Sequence, residues 1–191
     1  MRDLHMILIK EYDLLNNRRI FTSLNIISVF LFFFFIFLFS MVGISVLGID
    51  EFGFSINFED LLYFLPFFLA GFFLVICIHE LIHGSFSKLF NKEAHIRYGF
   101  KKGCPYVTAP GARYSRAQFT WICLAPFVLI FLLLTLLVFL NLISIFSFVL
   151  MASMHATGCI GDFFCALILF KHPGRILVED TNNILMIYSD I

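Results

Sequence analysis

The chain has 191 residues, of which 61% are hydrophobic, 14% are charged and 28 are phenylalanine. A soluble domain of this length does not need so much apolar surface, so the composition points to a membrane protein. Its 13 basic and 13 acidic residues cancel to a formal net charge of zero, which leaves no basic field and no case for nucleic-acid binding.

Residues 1–23 form a polar lead-in in which Leu4, Ile7, Leu8, Tyr12 and Leu15 recur at helical spacing. The segment reads either as an interfacial helix or as a plain cytoplasmic lead-in. The first apolar tract, 24–47, contains Phe32-Phe33-Phe34-Phe35. It is too long for a signal-peptide core and lacks a small-residue cleavage site, so it is expected to remain as a membrane anchor. Three further tracts, 61–90, 118–140 and 142–170, each approach or exceed the roughly 20 residues a bilayer requires. Asn141 is the obvious polar break between the last two, which predicts a tight antiparallel hairpin. Pro66 and Pro126 either kink their helices to open a cavity or sit near span ends without effect. The expected fold class is an all-α membrane protein. It has a four-helix transmembrane domain over 24–170, a cytoplasmic loop 91–117, a cytoplasmic tail 171–191 and short cytoplasmic β-hairpins.

The basic residues orient this bundle. Arg2, Lys10, Arg18 and Arg19 precede the first tract. Lys88, Lys92, Arg97, Lys101, Lys102, Arg113 and Arg116 lie around the connection between tracts two and three, and Lys171 and Arg175 follow tract four. With four spans all 13 fall on one side. The loop between tracts one and two carries Asp50, Glu51, Glu59 and Asp60 without Lys or Arg. Both termini of a multi-pass protein of the cell membrane are therefore expected in the cytoplasm.

Two hairpins are predicted on that side. One joins His95–Phe100 to Pro105–Pro110 through Lys101-Lys102-Gly103, and the other joins Arg175–Glu179 to Ile184–Ser189 through Asp180-Thr181-Asn182-Asn183. An edge strand there would hold a substrate extended by strand addition, and simple loop ordering accounts for the pattern equally well.

His79-Glu80-Leu81-Ile82-His83 lies inside the second tract. HExxH on a helix puts two imidazoles on one face, where they can share one zinc ion, with the glutamate beside the metal as general base. Ionisable side chains in hydrocarbon are expensive, which raises the weight of the motif here. Of the 13 acidic residues only Glu80 and Asp162 fall inside the tracts, and of 6 histidines only His79, His83 and His155 do. His79 lies nine residues before Lys88, and Asp162 nine residues before Lys171. Both then sit about 13 Å below the cytoplasmic boundary, so His79, His83 and Asp162 are expected at one level as zinc ligands. Two imidazoles and a carboxylate leave a position on zinc open for water. A packing hydrogen bond is the alternative for Asp162; an ion pair lacks a partner, because no Lys or Arg lies in a span interior. His155, two turns before Asp162, either steadies a developing oxyanion or faces the water-filled entrance. Gly158 and Gly161, and Gly84 with Ser85, would let helices approach closely. Cys77, Cys104, Cys123, Cys159 and Cys165 show no CxxC spacing and read as small buried hydrophobes. For Cys159 and Cys165 a role as soft ligands is the alternative. These parts suit peptide hydrolysis, with zinc-activated water and Glu80 taking and returning its proton.

His79-Glu80-Leu81-Ile82-His83-Gly84 together with Gly161-Asp162-Phe163-Phe164 resembles the intramembrane metalloproteases of the site-2 protease class. The chain resembles more closely a group of small bacterial membrane proteins described as zincin peptidases, which Leu124-Ala125-Pro126 and the short tail also fit. The resemblance covers about residues 61–191. It implies His79, His83 and Asp162 as zinc ligands and Glu80 as the catalytic residue. It also implies a zinc-dependent intramembrane endopeptidase that cuts membrane-embedded peptide or protein substrates near the cytoplasmic face. Site-2 proteases show an NPDG-like motif around the third ligand, whereas this chain has His155-Ala156-Thr157-Gly158-Cys159-Ile160-Gly161-Asp162. The alternative reading is a metal-binding membrane carrier, sensor or non-catalytic scaffold built on the same residues.

Overall fold

The computed structural model of the chain describes residues 6–14, 16–47, 58–101, 104–181 and 184–190. Strand β1 (Met6–Asp13) leads into α1 (Arg18–Leu47), and α2 (Phe58–Phe90) follows. A hairpin of β2 (Arg97–Lys101) and β3 (Cys104–Thr108) comes next, then the short β4 (Tyr114–Ser115) and α3 (Arg116–Phe139). Helices α4 (Ile145–Gly158) and α5 (Ile160–Phe170) precede β5 (Ile176–Thr181) and β6 (Ile184–Asp190). Arg2, Leu4, His5, Leu15, Asp50, Glu51, Lys102, Gly103, Asn182 and Asn183, which carried parts of the charge, spacing and turn readings, lie outside the described residues.

Helices α1, α2 and α3 are each long and apolar enough to cross a membrane, and α4 with α5 makes a fourth if the bent pair is one span. Their faces are sorted accordingly. On α1, Phe30, Phe33 and Phe37 are 72%, 66% and 64% exposed, whereas Phe35 and Phe39 are buried. One face of the phenylalanine run is thus left exposed, and the other packs inward at i, i+4 spacing. Phe39 stacks on Phe131 of α3 at 5.2 Å between centroids and meets Phe148 of α4 at 6.1 Å.

The turn between α3 and α4 is the tight reversal expected at Asn141. Asn141 takes φ 55°, a left-handed conformation that asparagine tolerates. Its N–H donates to Val138 O at 2.9 Å and that of Leu142 to Leu137 O at 2.9 Å, so the last carbonyls of α3 are satisfied. Ser144 then caps α4 by accepting from Ser147 N at 3.1 Å. At the other end, Ser115 and Gln118 form a capping box that starts α3.

The architecture departs from the expected helical bundle in two places. The N-terminal segment is a strand, not an interfacial helix. β1 pairs antiparallel with β6, within a four-stranded sheet of order β1-β6-β5-β4. Ile7, Leu8 and Tyr12, which matched a helical spacing, serve a strand because a partner from the far end of the chain supplies the ladder, which outweighs a weak local period. The tract 142–170 is also not one straight helix. It bends by 45° between α4 and α5. Gly158 and Gly161 flank the bend and are poor helix formers, a recognised cause of kinks. Pro66 and Pro126, by contrast, lie inside the unbroken α2 and α3.

The sheet packs on the ends of α3 and α5. Val178, Leu185 and Ile187 are fully buried against Ile168, Leu169 and Phe119. The two predicted hairpins are present, as β2–β3 and β5–β6. Because β1 and β6 pair, the first and last described strands lie at the same end of the bundle.

Candidate metal centre

Helix α2 carries His79 and His83 one turn apart, and their Nε2 atoms approach to 3.0 Å. Asp162, on the first turn of α5, spans the pair. Its Oδ2 lies 3.4 Å from His79 Nε2 and its Oδ1 lies 3.3 Å from His83 Nε2. Two donors held about 2.0–2.1 Å from one tetrahedral zinc are separated by about 3.3 Å. The three spacings therefore fit one such ion, and the mixed imidazole and carboxylate set suits zinc. The bend before α5 contributes to this. It starts a new helix just before Asp162, so the positive end of that helix lies beneath the carboxylate.

The imidazoles are held from behind. His83 Nδ1 donates to the backbone carbonyl of Ile122 on α3 at 2.8 Å, which places the proton there and leaves Nε2 as a donor to metal. His79 Nδ1 faces His155 Nε2 of α4 at 3.0 Å. His155 thus lies against the ring nitrogen of His79 that points away from Asp162. Cys159, at the bend, brings Sγ to 3.9 Å from His79 Nδ1 and 3.7 Å from His155 Nε2.

A cavity of about 420 Å³ opens beside these groups and is lined by His79, Glu80, His83, His155 and Asp162 together with β3. Neither Pro66 nor Pro126 borders it. Gly158 and Gly161 do, and a Cβ added at either would meet nothing within 4 Å. This corrects their expected role, since they widen the cavity and do not bring helices into contact. Gly84 is a different case. A Cβ there would collide with the phenol of Tyr98, so its lack of a side chain lets this β2 side chain lie directly on α2, one residue past His83.

Asp180 also lines the cavity, from β5. Its sequence context is that of a turn, and the prediction places it in one; the β5–β6 pairing instead extends through Asp180 and Thr181. Thr108 Oγ1 of β3 donates to the Asp180 carbonyl at 2.6 Å, which joins the hairpin to the sheet at this wall. Burial pushes the Asp180 carboxyl up to about 7, with His83 opposing and Asp162 adding repulsion. Nearby, burial also raises the Tyr114 hydroxyl above its ordinary value, and the hydroxyl donates to Ser87 O at 3.4 Å.

Residues 72–177 match the family described as "Putative zincin peptidase". The matched stretch runs from α2 to β5 and contains His79, Glu80, His83, His155 and Asp162. No curated protein and no solved structure matches the chain.

Proposed function

This chain belongs to the putative zincin peptidase family, and from that membership and the metal centre we propose a zinc-dependent endopeptidase that works within the membrane near its cytoplasmic face. The observation that carries the proposal is the convergence of His79 Nε2, His83 Nε2 and Asp162 at 3.0–3.4 Å, with Glu80 on the same cavity wall. His79, His83 and Asp162 would hold the ion. Bound zinc supplies Lewis acidity, which makes water a nucleophile at neutral pH and polarises a carbonyl.

The remaining roles fall to the chain. Glu80 takes the water proton and returns it to the leaving amine. The Ile122 carbonyl fixes His83, and His155 fixes His79 by accepting its Nδ1 proton, so His155 is a positioning residue. β3 lines the cavity and offers a backbone edge against which a membrane-protein substrate lies extended, exposing a carbonyl that a helix would conceal. Orientation follows the basic residues. Lys88, Lys92, Arg97 and Arg113, together with β1 and β6, belong to the sheet end of the bundle, which we place in the cytoplasm of a cell-membrane protein.

Purified full-length protein, assayed for bound zinc and against a panel of single-span substrates, tests this reading. Wild type is expected to cleave, and Glu80→Gln to bind zinc equally while cleaving about 10²–10⁴-fold more slowly. Equal zinc content with no cleavage by either protein would refute the peptidase assignment. Function that survives Glu80→Gln but not His79→Ala would instead favour a carrier or sensor.

A further inference from the structure

His79 has two ring nitrogens, and the zinc-ligand set uses only Nε2. Its Nδ1 belongs to a second convergent group. His155 Nε2 lies 3.0 Å from that nitrogen, and Cys159 Sγ lies 3.9 Å from it and 3.7 Å from His155 Nε2. A tetrahedral zinc bound at about 2.0–2.1 Å to nitrogen and about 2.3 Å to sulfur separates two nitrogens by about 3.3 Å and a nitrogen from a sulfur by about 3.6 Å. The observed spacings lie within a few tenths of an ångström of these. The three donor atoms all lie within 4.8 Å of one another, as do those of His79, His83 and Asp162.

The surroundings favour a ligand role over inert packing. Cys159 has no exposed surface, and His155 is buried except where it meets the cavity. Cys159 sits at the junction of α4 and α5, one turn after His155, so the two project from one helical face toward His79. Two imidazoles and a thiolate form a softer set than two imidazoles and a carboxylate, suited to zinc and other thiophilic ions.

We propose that His79 Nδ1, His155 Nε2 and Cys159 Sγ form a second metal site, adjacent to the first and joined to it through the His79 ring. When both are filled, His79 is an imidazolate bridge. The Cys159 S–H proton and the proton shared by His79 and His155 leave to solvent as the second ion binds. Filling this site removes the hydrogen bond between His79 and His155, so the second ion replaces His155 as the partner that orients His79. The proposal goes beyond the peptidase reading and needs no cleavage to be tested.

The experiment is a cobalt(II) titration of metal-free, full-length protein, followed by absorption. Wild type is expected to take up two ions per chain and to develop a near-ultraviolet thiolate-to-cobalt band. Cys159→Ala is expected to take up one ion and to lack the band, while keeping the weaker visible absorption of a nitrogen and oxygen site. His155→Asn should give the same result without touching the thiol, which guards against a folding defect in the cysteine variant. Glu80→Gln should retain both ions and the band even though it blocks the proposed cleavage, so failure of one reading is distinguishable from failure of the other. Uptake of a single ion by wild type without the band overturns the proposal. So does a band that persists in Cys159→Ala, which would assign it to another cysteine.

Discussion

Replacing His155 by alanine isolates the contribution of an outer partner to the metal centre. His79 Nδ1 and His155 Nε2 are 3.0 Å apart, within hydrogen-bond range, and His155 is buried, so solvent does not readily substitute for it. The loss leaves the His79 N–H unsatisfied and its ring free to rotate away from Asp162. Outer-shell partners of this kind change metal affinity by about 10–100-fold, which is about 1.4–2.8 kcal/mol. The matching contact of His83 is to a backbone carbonyl, Ile122 O at 2.8 Å, and is unaffected by the substitution, so the loss should stay within this range. The measurement is zinc affinity by competition with a chromophoric chelator. A Cys159→Ala background ensures that only His79, His83 and Asp162 contribute. His155→Gln should recover most of the affinity, because its amide oxygen can accept the same proton. Unchanged affinity in His155→Ala would refute the positioning role, and failure of the glutamine to rescue would refute the hydrogen bond as its cause.

Three further outcomes are expected. Gly161→Leu should bind zinc normally and lose cleavage, because its side chain projects into open cavity space, while Gly161→Ala should retain activity; parallel zinc and cleavage assays decide this. In metal-free protein the Asp180 carboxyl is raised to about 7 from an ordinary value near 3.9, so its neutral form favours folding. Its contribution is complete below pH 4 and is lost as pH rises through 7, by up to about 4 kcal/mol, and Asp180→Asn should flatten that slope in denaturant titrations. Ile187→Ala, at a fully buried position between the sheet and the helices, should lower stability by about 2–5 kcal/mol in the same titrations.

How much of this was legible in the sequence depended on whether a signal was local. The apolar tracts were legible because a bilayer imposes length and hydropathy on each span separately. Asp162 was legible for a related reason. A carboxylate is rare in such a tract, and equal offsets from Lys88 and Lys171 placed it beside His79 before any contact was known. β1 was not, because Ile7, Leu8 and Tyr12 became a strand through pairing with β6 across nearly the whole chain. The bend at Cys159 escaped because Gly158 and Gly161 suit helix contacts as well as helix breaks, and only the empty space beside them separates the two. The Ile122 carbonyl left no trace, since any residue offers one. Asp180 was concealed by its neighbours Thr181, Asn182 and Asn183, whose turn character masked a carboxylate on the cavity wall. Cys159 carried one available signal, its spacing of four residues from His155.

The pairing of β1 with β6 has a consequence for biosynthesis. The ribosome makes β1 first, yet its partner is among the last residues to emerge. His79, Glu80 and His83 are made well before Asp162 and Asp180. Between residues 83 and 162 the nascent chain therefore carries only half a metal centre. The ligand set proposed above is complete only once Asp162 has been made, and the sheet closes later still, when β6 emerges to pair with β1.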